Sequence, residues 1–168
     1  MSTAPAEAAS ATLVWRPQTP GDSAFEAALF AAVTRQRLGL PEALLPQALI
    51  DAQFRSRCDT YVALHGGADR WILVLEGVPV GQLIVEERPD DLFIVDIALL
   101  PQVQGRRLGR QVMAQVQARA RASGRPIAAH VAAGNLACQA MCRASGMTLE
   151  GPLGEAQLSI RWTAEGAA

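Results

Sequence analysis

The sequence predicts an α/β (α+β) domain of three layers, α/β/α, in which a mixed, mostly antiparallel sheet of about seven strands lies between about four helices. Three observations predict it. The chain has 168 residues, half of them hydrophobic, enough for a single domain that buries roughly 70% of its unfolded surface. Short alternating or fully apolar runs are interspersed with longer runs of helical spacing, so strands and helices mix along the chain. At the centre, Leu92–Arg121 reads as an apolar strand, a proline-marked break, a Gln/Gly/Arg loop and an amphipathic helix. The domain is expected to span 12–163, between a disordered arm over 1–11 and a flexible tail over 164–168.

Taken in order, Met1–Ala11 is Ala-rich, carries Glu7 and has neither a basic head nor an apolar centre, so it reads as an arm rather than a secretion signal. Thr12–Arg16 alternates like a strand, and Pro17–Gly21 is a turn. Asp22 or Ser23 caps a helix with Phe25, Leu29, Phe30 and Val33 on one face, ending near Gly39. A second helix is expected from about Pro41 to Arg57, its apolar residues being Leu44, Leu45, Ala48, Leu49, Ala52 and Phe54. His65–Gly67 is a loop, and His65 has no second ligand at metal spacing, so no metal is expected. Trp71–Leu75 and Val80–Val85 form a hairpin around Glu76-Gly77-Val78-Pro79. After the polar turn Glu86–Asp91 comes the central strand, Leu92–Leu100, rich in β-branched residues and interrupted only by Asp96. Pro101 ends it. A helix over Arg107–Ala122 places Leu108, Val112, Met113, Val116 and Ala120 on one face, and Gly124-Arg125-Pro126 stops it. A strand (Pro126–Val131), a helix (Asn135–Ala144) and two strands (Met147–Glu150, Ala156–Trp162) complete the chain.

No apolar run approaches the ~20 residues of a membrane helix, and three cysteines, an odd number, suit a reducing compartment. A cytoplasmic protein with no membrane partner is therefore expected. Charge is segregated along the chain. From Ile97 to Leu149 there are seven arginines and no carboxylate, so this window is +7 in a chain of net −1 and the remainder carries −8. Within it, Gln104-Gly105-Arg106-Arg107-Leu108-Gly109 sets small residues and two guanidinium groups at a helix N-terminus. Free N–H groups and the positive dipole end gather there, which suits a phosphate.

The run DIALLPQVQGRRLGRQVM, then SGRPIAAHV and GNLACQAMCRASGM, resembles the central part of the GNAT superfamily of acyl-CoA-dependent N-acyltransferases, over roughly residues 71 to 150. Members carry a [Q/R]-x-x-G-x-[G/A] loop after the fourth strand; Gln104 and Gly109 match its ends, and Arg107 stands where the middle Gly usually is. A second signature, Asn opening the next helix, Tyr seven residues on and then Gly-Phe, falls on Asn135, Cys142, Gly146 and Met147. The resemblance implies acetyl-CoA as cosubstrate. Its contacts would come from Ala98, Leu99 and Leu100 on the strand, from Gln104, Gly105, Arg106, Arg107, Leu108, Gly109 and Arg110 in the loop and helix start, and from Asn135.

Transfer to a primary amine by direct attack in a ternary complex would follow, with the Leu99 N–H polarising the thioester carbonyl. Asp96 would relay the amine proton and Cys142, at the family's Tyr position, would protonate the leaving thiolate. Asp96 has an equally open structural reading, as a carboxylate bonded to a neighbouring element. Cys138 and Cys142, one turn apart, also read as two small core residues. Arg107 fits without strain if it is the first helical residue. Gln53, Phe54 and Tyr61 are candidates for an acceptor cleft, the acceptor being a small-molecule or peptide amine, and a homodimer is compatible with the sequence. Two other readings stay open. One is a catalytically impaired acyl-CoA-binding protein of the same fold, which Cys142 and Met147 favour. The other is a basic-patch nucleic-acid binder; against it, no aromatic residue lies between Phe93 and Trp162 to stack on bases.

Overall fold

The computed structural model describes residues 12–39 and 44–164. The expected arm over 1–11, the start of the second helix at Pro41 and all of the expected tail but Ala164 lie outside the described residues; Ala164 packs against the main core. The elements are β1 (Leu13–Pro17), α1 (Ser23–Leu38), α2 (Gln47–His65), β2 (Asp69–Leu75), β3 (Val78–Glu87), β4 (Leu92–Leu99), α3 (Leu108–Ser123), β5 (Ile127–Ala132), α4 (Leu136–Ala144), β6 (Thr148–Leu153) and β7 (Gln157–Trp162). Single 3-10 turns at Pro20–Asp22 and Pro101–Val103 lead into α1 and into the loop before α3.

One seven-stranded sheet runs β1-β2-β3-β4-β5-β7-β6. Every neighbouring pair is antiparallel except β4 with β5. The β2–β3 hairpin turns on Glu76 and Gly77, both at positive φ (51° and 81°), the backbone of a type I′ turn whose twist matches the strands. Helices α3 and α4 cover one face of the sheet and α1 and α2 the other. Along α3, Leu108, Val112, Met113, Val116 and Ala120 are all buried, as the 3.6-residue spacing predicts, and they meet Leu73, Leu83, Val85, Ile94 and Ile127 in the main core.

The other face is held differently. Its apolar cluster is small, built on Ala31, Leu45 and Ile50 with Phe30 packed against it. Helix α2 departs from expectation at both ends: Leu44–Pro46 precede it and it continues to His65. Leu44 and Leu49, expected on the buried stripe, are exposed. The face turned towards the sheet is instead Ile50, Phe54, Arg57, Tyr61 and His65, at helical spacing but with polar tips. Those tips find partners on β3 and β4, so a count of apolar residues cannot detect that face.

Arg107 also differs. It is not the first helical residue but the cap before it, in the left-handed region at φ 61°, ψ 10°. A side chain there costs about 1–2 kcal/mol relative to the right-handed region. Glycine removes that cost while adding roughly 0.5–1 kcal/mol of unfolded-state entropy. Arg107→Gly is therefore expected to stabilise the free protein by roughly 0.5–1 kcal/mol, and a β-branched Arg107→Val to destabilise it; urea unfolding of the two variants measures both signs.

Asp22 ties β1 to α1. Its carboxylate accepts from Arg16 Nη1 (2.8 Å) and Nη2 (2.5 Å), from the Thr19 N–H (2.8 Å) and from the Thr19 hydroxyl (2.9 Å). The Arg16 guanidinium first, and the Thr19 N–H second, hold its carboxyl well below the usual carboxylate range. A depressed folded-state pKa gives stability that is present above the unfolded value, about 3.9, and is lost as pH falls through and below it. Unfolding midpoints should fall from about pH 5 downwards, and Asp22→Asn should flatten that acid limb while lowering the midpoint at neutral pH.

Candidate active site

Strands β4 and β5 pair for three residues only, Leu92 with Ile127, Phe93 with Ala128 and Ile94 with Ala129, and then part. A bulge lies opposite, where β3 shifts register between Ile84 and Val85, adding Val95 to β4. Beyond it β4 stays paired with β3 on one side only. The Leu100 N–H donates to the Val80 carbonyl at 2.8 Å, and Leu99 stands opposite Gly81. Antiparallel ladders alternate, so the backbone of Leu100 and Ala98 faces β3, while that of Leu99 and Ile97 faces the gap. The Leu99 carbonyl accordingly accepts from Gln104 Nε2 at 2.8 Å. Of the three strand residues named as contacts, Leu99 therefore presents its N–H to the gap, and Ala98 and Leu100 do not. Ile97 joins it, a position that needed the register to be seen.

The loop is built by the turn at Pro101–Val103, by Gln104, whose side chain also accepts from Gln36 Nε2 at 3.0 Å, and by positive φ at Gly105 (77°) and Arg107. Among the described residues no acceptor takes the N–H groups of Gly105, Arg106, Arg107, Leu108 or Gly109. Five successive free donors at the positive end of α3 suit an anion. Gly109 is small for another reason: a Cβ there would lie 2.5 Å from Met141 Sδ, where α3 meets α4.

The seven arginines do not act as one patch. Arg119 pairs with Asp69 and Glu87, Arg125 reaches Glu87, and Arg121 lies over the Trp162 ring, all towards the far end of α3. Arg106, Arg107 and Arg110 remain at the loop with no carboxylate partner among the described residues. Carboxylates distant in sequence thus neutralise part of the charge, which removes the main argument for a nucleic-acid surface.

The gap opens into a cavity of about 130 Å³ whose walls include Asp96, Ile97, Asn135, Cys138, Met141 and Cys142. Asn135 caps α4, its Oδ1 accepting from the Cys138 N–H at 3.1 Å. Cys142 is 4% exposed, and its hydrogen bond with Cys138 and its burial push its thiol far up, so it stays neutral. Cys138 is drawn below the ordinary thiol range by the same contact. Both cysteines are also packed with the main core.

Asp96 points to the α2 side. It accepts from Arg57 Nη2 and from Gln82 Nε2 (2.5 Å), and Arg57 lies between the rings of Phe30 (5.3 Å) and Tyr61 (4.9 Å). Burial first, and the charge of Asp96 second, push the Tyr61 hydroxyl up. Phe54 packs on Phe30 with ring centroids 5.6 Å apart, and Gln53 is exposed on another face of the helix. Of the three acceptor-cleft candidates, Tyr61 lines a cavity.

That second cavity, about 360 Å³, lies on the α2 side between Tyr61, Leu64, His65, Arg88, Phe93 and His130. It shares Ile94, Val95 and His130 with the first, so the two have a common wall where β4 and β5 part. His65 Nδ1 stands 3.0 Å from Glu86 Oε2, and Arg88 Nε donates to the same oxygen at 2.8 Å. His65 stacks on Phe93 at 6.0 Å, and His130 meets the Phe93 edge at 4.9 Å. None of Arg57, Gln82, Glu86, Arg88 or His130 stood out in the sequence, and His65 was weighed there only as a metal ligand. The spacing of Arg57, Tyr61 and His65 at i, i+4 and i+8 was the available signal. Among the described residues no three His, Cys, Asp or Glu side chains are placed to hold a metal ion, and no helix is long and apolar enough to cross a membrane.

No curated protein matches the sequence. Among solved structures, an acetyltransferase from Thermus thermophilus is 20% identical, with TM-score 0.69, covering 91% of this chain and 97% of its own. The PaiA N-acetyltransferase of Thermoplasma acidophilum, solved with coenzyme A, is 9% identical with TM-score 0.73, covering 91% and 99%. The spermidine N-acetyltransferase of Vibrio cholerae, solved with CoA and spermine, is 15% identical with TM-score 0.65, covering 92% and 97%. At these identities the likeness establishes the fold. The family model for the acetyltransferase (GNAT) family matches residues 42–147, well over half the chain, and with the divided sheet and the amide-lined loop on the page this chain belongs to that family.

Proposed function

We infer that the protein is an N-acetyltransferase that moves an acetyl group from acetyl-CoA to a primary amine by direct attack within a ternary complex. The observation that carries this is the one-sided strand edge at Ile97 and Leu99 running into five unpartnered amides at Gly105–Gly109. A diphosphate fits the amides, with Arg106, Arg107 and Arg110 beside it, and the amide-bearing arm of the same carrier fits the open edge of β4 as an added strand would. The family match and the two CoA-bound structures of the same fold support this choice of carrier.

The carrier supplies an activated acyl group as a thioester. The chain's own residues supply position and charge stabilisation. A backbone N–H of β4, Leu99 or its gap-facing neighbour Ile97, hydrogen-bonds the carbonyl oxygen as negative charge develops there. Asp96, fixed by Arg57 and Gln82, sets the electrostatics of the wall between the cavities and is the carboxylate that the family resemblance offers as a relay for the amine proton. The neutral Cys142 thiol borders the cavity and can return a proton to the departing thiolate. Three free cysteines support a cytoplasmic setting. The acceptor is a small or peptide amine, and a homodimer remains an assembly to be measured.

A second reading, an acyl-CoA-binding protein with impaired catalysis, is favoured by one observation. Cys142 is 4% exposed and packed in the main core, as a structural residue would be, and loss of a positioned acid costs about 10²–10⁴ in rate. Calorimetry with CoA and acetyl-CoA, followed by thiol release with mixed amines, separates the two. The proposed function expects saturable binding that weakens with salt, about 2.7 kcal/mol of stabilisation when carrier exceeds its Kd by ~100-fold, and amine-dependent thiol release. Binding without release selects the impaired protein. No binding at millimolar carrier overturns both.

A further inference from the structure

We propose that His65, oriented by Glu86, is the general base that takes the proton from the acceptor amine, and that the 360 Å³ cavity beside it is the acceptor site. The proposal rests on the acyltransferase reading above and adds to it a residue outside the acetyl-CoA slot.

The geometry fixes the imidazole. Arg88 first, and His65 second, hold the Glu86 carboxyl below the usual range, so this carboxylate only accepts hydrogen bonds. The His65 nitrogen 3.0 Å from it, Nδ1, therefore carries the proton. In the neutral ring this leaves Nε2 with a free lone pair, on a side chain that walls the cavity. Stacking on Phe93 and the edge of Tyr61 (ring centroids 6.3 Å) hold the ring plane. This is the arrangement of a base held by a third group.

Position supports it further. The acceptor cavity and the cavity at the β4 opening share Ile94, Val95 and His130 as walls, so an amine held between His65 and Val95 lies next to the point where β4 and β5 part. Asp96 is the competitor, but one of its oxygens already accepts from both Arg57 and Gln82, and removing its charge would leave the half-buried Arg57 unpaired. Asp96 thereby becomes a positioning residue. The groups facing the His65 ring are Tyr61 on its own helix, Glu86 on β3, Arg88 after it and, across Phe93, His130 on β5.

The step balances. The amine nitrogen bonds to the thioester carbonyl carbon, the C–S bond breaks, and CoA leaves as thiolate. The nitrogen loses its proton to His65 Nε2 through bridging water, and the thiolate takes one from Cys142 or water, giving an amide and CoA thiol. The acceptor attacks as the neutral amine, and its N–H becomes sharply more acidic as the N–C bond forms and positive charge gathers on nitrogen, so an imidazole can take the proton in this step.

The test uses the full chain and His65→Gln, each checked by calorimetry for acetyl-CoA binding and by circular dichroism for folding. Spermidine, tryptamine, L-methionine and a lysine peptide are the amine probes, with thiol release as readout. The proposal expects His65→Gln to bind acetyl-CoA as the wild type does, to lose about 10²–10⁴ in kcat with KM for the best amine changed only a few-fold, and to lose the imidazole limb of the pH profile. Glu86→Gln should keep partial activity and shift that limb. Independently of any acceptor, imidazole ¹⁵N shifts should give His65 as the Nδ1–H tautomer, a preference lost in Glu86→Leu. An unchanged kcat and pH profile in His65→Gln, an Nε2–H tautomer in the wild type, or a wild type that binds acetyl-CoA but acetylates none of the probes overturns it. A wild type that does not bind acetyl-CoA overturns the acyltransferase reading, and this proposal with it.

Discussion

The molecule depends on a parallel pair of strands that cannot stay together. β4 and β5 hold three residue pairs and then separate, while each keeps its antiparallel partner on the outer side. A sheet that opens in its middle leaves polar backbone edges without partners, which is costly unless something fills the opening. The bulge at Val95 helps to turn β4 away, and the 3-10 turn at Pro101–Val103 carries the chain across to the amide-lined loop. Opening and loop are thus one device. The strand edge and the helix N-terminus are adjacent because they are joined by a few residues.

The two faces of β4 have separate tasks. Ile97 and Leu99 pack against the main core beneath α3 and α4, where close apolar packing gives rigidity. On the other face, Asp96 meets Arg57, and the neighbouring strand supplies Gln82 and Glu86. A partly buried ion pair of this kind is a weak source of net stability, because desolvation offsets the attraction, but removing one partner strands the other. It fixes α2 in rotation, and with it Tyr61 and His65. The shallow apolar cluster on this face is therefore supplemented by polar contacts, which hold His65 in the wall of the 360 Å³ cavity.

Much of this was legible in the sequence, and the boundary has physical causes. Strands and α3 announced themselves through local periodicity, and the loop through Gln104, Gly105 and Gly109 before an apolar helix. Helix α2 misled because its inward face carries Arg57, Tyr61 and His65, while Leu44 and Leu49 are exposed. The arginine-rich window looked like one basic surface, yet Asp69 and Glu87, far away in sequence, neutralise Arg119 and Arg125. Arg107 was expected in a helical conformation; the tight return of the loop sets it left-handed, as the glycine usual there would permit. The pairing of His65 with Glu86 joins residues 21 apart on different elements, and no local pattern encodes it.

Residue-resolved amide hydrogen exchange, with and without CoA, tests the central claim most directly. If the open edge of β4 receives the carrier, the Ile97 and Leu99 amides exchange faster in the free protein than those of Ala98 and Leu100, which face β3, and saturating CoA slows them to match. Ile97 and Leu99 amides already as protected as their neighbours in the free protein, or unchanged by saturating CoA, would contradict it.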